Sequence, residues 1–168
     1  VSAAVIGILL LVVVLGAVGG FMFSKWSAAQ ILWKSIPGST AKYHIVDGAQ
    51  VYDHDVRIAY TDALILLRRH TDFTPLTLAK MASEVHIVVQ KVEKWDSPVH
   101  GGNVAGIADG MTLFIGRDMK SLLHEMAHAC EFLEGSIDYS HATWRARGIH
   151  AASDAFEMLR GDGSIAQT

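Results

Sequence analysis

The stretch LLHEMAHACEFLEGSIDYSHATW, residues 122 to 144, sets His124 and His128 four residues apart, places Glu125 directly after the first, and adds His141 beyond Gly135. Residues four apart on a helix leave the same face one turn apart, so the two imidazoles can grip one metal ion. Glu125 is rotated by about 100° from His124, which suits its carboxylate to take a proton from water rather than to ligate. A catalytic zinc site uses three protein ligands and one open position, so a third ligand must come from elsewhere in the chain. Glu131 shares the face of the two histidines but lies about 10 Å along the axis from His124, too far for one ion to span three turns. Past Gly135 the candidates are His141, His150, Asp154 and Glu157. His141 falls on the apolar stripe expected of the last helix and is assigned as third ligand. His150 and Glu157 point well away from that stripe and Asp154 lies near its edge; Asp154 and Glu157 remain the alternatives.

Three neutral imidazoles on zinc lower the pKa of a bound water toward about 7 and polarise a scissile carbonyl, while Glu125 accepts the water proton and delivers it to the leaving amine. The expected reaction is hydrolysis of a peptide (amide) bond. Tyr139, Arg145 and Arg147 are the nearby candidates for steadying a tetrahedral intermediate. Backbone between Asn103 and Ala108 is placed to pair with an extended substrate as an added strand.

The elements that must position these groups follow from periodicity. Val56, Tyr60, Ala63, Leu64 and Leu67 form one helical stripe in DHDVRIAYTDALILLRRH. Proline opens a short helix at Pro75, which gives way to the β-rich VHIVV. Asp47–Gly48 and Asp109–Gly110 each sit between apolar runs and predict two hairpins, over 43–52 and 103–116. Asp118 is read as the cap of a helix that carries the histidine pair through Glu134 and stops at Gly135. A last helix, Ser140 to Arg160, is expected to bury Trp144, Gly148, Ala151, Ala152, Ala155 and Leu159. Cys130 reads as a small buried residue, since nothing near it in sequence would lower its pKa.

The motif resembles that of the zincin metallopeptidases, with HExxH on a helix behind a small sheet. HEMAH, twelve intervening residues, then SHATW looks most similar to the SprT-like minimal zincins, whose third ligand is a histidine shortly before an aromatic residue. The resemblance implies an α+β fold, with His124, His128 and His141 as zinc ligands and Glu125 as general base. Ala142 stands where a glycine often follows the third histidine, no four-cysteine ribbon follows, and Glu134 occupies the place of a metzincin's third histidine. The DNA association of SprT-like proteins is therefore not carried over.

The first 23 residues carry no charge and one polar side chain, Ser2. As a helix they cover about 34 Å, enough for a hydrocarbon core of about 30 Å. Lys25, Trp26, Trp33 and Lys34 follow in the manner of an interfacial belt. A transmembrane helix over 1–24 is the expectation, with a cleaved signal peptide as the alternative. A helical juxtamembrane linker over 25–40 and a metallopeptidase domain over 41–168 follow from it. With a formal net charge of -3 and no basic run, no nucleic-acid partner is expected. The resulting expectation is a single-pass protein of a bacterial or virion membrane, touching the lipid bilayer and cleaving a peptide, protein or peptidoglycan stem. The contrasting expectation is a noncatalytic membrane or virion structural module that keeps the fold.

Overall fold

β-branched residues dominate the strand His86–Val89, in which Ile87, Val88 and Val89 are all buried, and a strand covered on both faces belongs inside a parallel sheet. The computed structural model describes residues 32–97, 102–136 and 141–161. Its elements run β1 (Lys34–Ser35), β2 (Lys42–Ile45), α1 (Asp53–His70), α2 (Pro75–Glu84), β3 (His86–Val89), β4 (Trp95–Ser97), β5 (Gly102–Val104), β6 (Gly106–Asp109), β7 (Thr112–Ile115), α3 (Leu122–Leu133) and α4 (Ile149–Gly161). Five strands form one sheet in the order β1-β2-β3-β7-β6, and β4 pairs with β5 apart from it. β2, β3 and β7 are mutually parallel; β1 and β6 run antiparallel at the two edges. This is a mixed α+β fold with a small sheet and four helices among the described residues.

Parallel neighbours need a long crossover, and α1 with α2 supplies it between β2 and β3. Thr74 caps α2 by accepting the Thr77 N–H at 3.1 Å, with Pro75 at the first helical position. Every second strand residue faces the core: Tyr43, Ile87, Val89, Leu113 and Ile115 join one apolar cluster with Val56, Ala63 and Leu67 of α1 and Leu122, Leu123 and Met126 of α3. Each such leucine or methionine contributes about 2 kcal/mol by leaving water, so α3 is held firmly on its apolar side. Its own contacts are with β6 and β7 on the sheet and with all three other helices. The described residues from Trp33 onward form one compact unit.

The structure departs from the expectations in several places. Lys34 and Ser35 pair with Tyr43 and Lys42 as strand, where a helical linker was expected. No return strand follows Asp47–Gly48, because both sides of β2 are already taken by β1 and β3. The second hairpin does form, as β6 and β7 around Gly110 and Met111. α3 begins at Leu122 rather than after Asp118, because Met119 takes a φ of 54° and interrupts the turn; it ends, as expected, before Gly135 at φ 80°. The last helix begins only at Ile149. Gly148, at φ 74°, breaks it from the turns over 142–147, and the buried stripe becomes Ile149, Ala152 and Phe156, leaving Ala151 and Leu159 exposed.

The expectation of a single-pass membrane protein is also corrected. Among the described residues no helix is long and apolar enough to cross a membrane. The longest, α1, carries Asp53, Asp55, Arg57, Asp62, Arg68 and Arg69 around one apolar stripe, the pattern of a helix lying on a core. The segment 1–24, on which the membrane expectation rested, lies outside the described residues.

Candidate metal centre

α3 presents His124 and His128 from successive turns of one face, and the segment after Gly135 brings His141 back to them. The ligand nitrogens of the three all lie within 4.8 Å of one another, and no other His, Cys, Asp or Glu among the described residues joins them. Ring centroids are 5.0 Å apart for His124–His128 and 4.9 Å for each pair with His141. Nε2 of His141 is 2.9 Å from Nε2 of His128. Tetrahedral zinc with Zn–N near 2.05 Å sets its nitrogens about 3.4 Å apart, so small ring rotations suffice. The three histidines could hold a metal ion. Asp154 and Glu157, the alternative third ligands, are exposed on α4 outside the cluster.

His141 reaches the cluster from a loop, not from a helix. Its φ of 58° is uncommon for a residue with a side chain, and its carbonyl accepts the Trp144 N–H at 3.1 Å. Trp144 is 1% exposed and forms the floor of the site, with ring centroids 4.5, 4.7 and 4.2 Å from His124, His128 and His141. It is core, as expected, and its bulk also sets the depth at which the imidazoles sit. Burial, followed by the neighbouring histidines, lowers the pKa of His124 to about 4 and of His128 to about 3. Both are therefore neutral at pH 7, as a metal ligand must be.

Glu125 is 5% exposed, and burial raises its pKa to about 8, opposed only by a backbone hydrogen bond from Ala108. The strand that donates this bond is β6, the edge of the sheet. Gly106 on that strand is essential to the fit: a Cβ there would overlap Oε1 of Glu125, lie 2.8 Å from its Cγ and sit 2.6 Å from Oγ of Ser121. Ser121 donates at 2.8 Å to the Ala105 carbonyl, tying the start of α3 to the same edge. A cleft of about 230 Å³ runs between Ile107 and Ala108 of β6 and the three histidines, and a larger one, about 660 Å³, shares His124 and Glu125 with it and reaches Lys94, Lys120 and Glu157.

Glu131, set aside above as a ligand, stands beside the cluster. It is too far along α3 to meet the ion with His124, yet its Oε2 stands 3.3 Å from Nδ1 of His128, three residues earlier. The i, i+3 spacing was the available signal. Of the residues considered for steadying an intermediate, Arg147 is turned away toward Glu131, Glu134 and Asp72, Arg145 is exposed, and Tyr139 lies outside the described residues. Cys130 is fully buried and its thiol pKa is pushed up by that burial, which removes it as a nucleophile. Compared with protein families, with curated proteins and with solved structures, the chain matches none.

Proposed function

We propose that the chain is a zinc-dependent peptidase of the zincin type, with His124, His128 and His141 as ligands and Glu125 as general base. The observation that carries this reading is the convergence of three imidazoles and one buried carboxyl on a cleft beside an open sheet edge. Zinc, when bound there, supplies a Lewis acid and brings the ionisation of water into the neutral range. Glu125 takes the proton from the attacking water and passes it to the departing amine; a carboxyl with a pKa near neutrality serves both halves. A neighbouring cation favours the ionised carboxylate, so loading the site prepares Glu125 as a base. Gly106 leaves room for that carboxylate, and β6 offers its outer edge to an extended peptide, whose backbone would add to the sheet as a further strand.

The test begins with metal. The full chain purified without chelator is expected to carry close to one zinc per chain, and His141→Ala is expected to lose most of it. Cleavage of peptides, folded proteins or peptidoglycan stem peptides, abolished in Glu125→Gln with zinc retained, would then support a peptidase. Folded wild type without zinc would remove the metal reading. Bound zinc with no hydrolysis of any of the three substrate classes would leave a noncatalytic structural module.

A further inference from the structure

Arg147 follows His141 by six residues, yet its side chain reaches two other parts of the fold, the α1–α2 connection and α3. Nε donates to Oδ1 of Asp72 at 2.8 Å in the α1–α2 connection, and Nη2 donates to Oε2 of Glu134 at 2.7 Å at the end of α3. Nη1 lies 3.9 Å from Oε1 of the buried Glu131, and the guanidinium covers the Phe73 ring at 4.4 Å from its centroid. The backbone reinforces the attachment, with the Asp72 N–H donating to the Arg147 carbonyl at 3.2 Å. Glu131 in turn faces His128, its Oε2 3.3 Å from Nδ1 but outside hydrogen-bond geometry, and that oxygen has no hydrogen-bond partner among the described residues.

We propose that Arg147 is a positioning residue for the metal centre, acting at two ligands at once. Through Glu134 and Asp72 it clamps the segment that carries His141 against the helix that carries His124 and His128. Through Glu131 it stations a buried carboxyl beside Nδ1 of His128, where it can accept from that nitrogen once Nε2 takes the ion. A ligand histidine whose second nitrogen is held by a carboxylate is fixed in tautomer and ring orientation. A planar guanidinium serves three carboxylates in a way that an ammonium does not, so lysine is a poor substitute. The inference rests on the metal-site reading above and specifies how that site is organised.

The test uses the full chain and zinc or cobalt(II) as the probe, without recourse to a substrate. Zinc affinity is measured by chelator competition for wild type, Glu131→Gln, Arg147→Gln, Arg147→Lys and the Glu131→Gln/Arg147→Gln double variant, with urea midpoints recorded beside it. Glu131→Gln keeps the side-chain shape, so it reports even if Arg147→Gln unfolds. Each single variant is expected to weaken zinc by about 10- to 100-fold and to alter the visible bands of the cobalt form. The double variant is expected to lose less than the product of the two, since both act along one chain of contacts. Wild-type zinc affinity and an unchanged cobalt spectrum in folded Glu131→Gln and Arg147→Gln would overturn the assignment while leaving the metal site standing. A wild-type chain that binds neither ion would overturn both.

Discussion

Glu125 makes a prediction that needs no substrate. Its carboxyl is 5% exposed, and burial lifts its pKa from an ordinary 4.5 to about 8. Between those values the folded chain holds a proton that the unfolded chain has released, so stability falls as pH rises through the window. At about 1.36 kcal/mol per unit, the loss assigned to this group between about pH 5 and about pH 9 is about 4 kcal/mol. His124 and His128 act in the opposite sense at lower pH: their depressed pKa values make the folded chain gain stability as pH rises toward about 6.5. Comparison with Glu125→Gln cancels most of that histidine contribution. The assay is urea unfolding of the chelator-treated full chain and its Glu125→Gln variant across this pH range. The variant is expected to gain on wild type steadily toward alkaline pH, and the gap is expected to narrow when zinc is present, because a nearby cation favours the carboxylate. Parallel stability curves for the two proteins would refute the claim that the fold holds Glu125 in a desolvated place.

Three other perturbations probe the scaffold. Gly106→Ala must move Glu125 by about 0.7 Å to relieve its Cγ contact; with zinc retained, peptidase activity is expected to fall about 100-fold, and unchanged kcat/KM would contradict the fit. Gly148→Ala would set a Cβ against the His70 carbonyl in a residue at φ 74°. A loss exceeding about 1 kcal/mol in chemical unfolding is expected, accompanied by weaker zinc binding, because the same segment carries His141 and Arg147. Trp144→Ala empties the floor beneath all three imidazoles and is expected to cost about 3–5 kcal/mol in urea unfolding; a loss below about 1 kcal/mol would mean that the indole is not core.

Local rules were enough for much of this molecule. The four-residue spacing of His124 and His128 places both on one face wherever the helix sits, and the stop at Gly135 needs only a residue that accepts positive φ. The apolar periodicity of α1, the proline start of α2 and the turn at Gly110 were legible for the same reason: each is decided by neighbours within a few residues. His141 was identified correctly as the third member of the cluster, but by way of a helix that does not exist there. The helix is interrupted because Gly148 must pass the His70 carbonyl, a contact between residues far apart in sequence.

Tertiary structure decided the rest. Strand pairing is a choice among partners, so an apolar run and a turn signal could not show that β2 would take β1 and β3 in place of a hairpin return. Helical spacing excluded Glu131 as a ligand of the same ion and set it three residues from His128, yet could not reveal that its carboxyl would meet an arginine from another segment. Sequence by itself determined which side chains could do chemistry and which of them a single helix turn would unite. Only packing, which closes loops and buries charges against partners from elsewhere in the chain, decided how Glu125 is desolvated, how His141 arrives and what holds the centre in place.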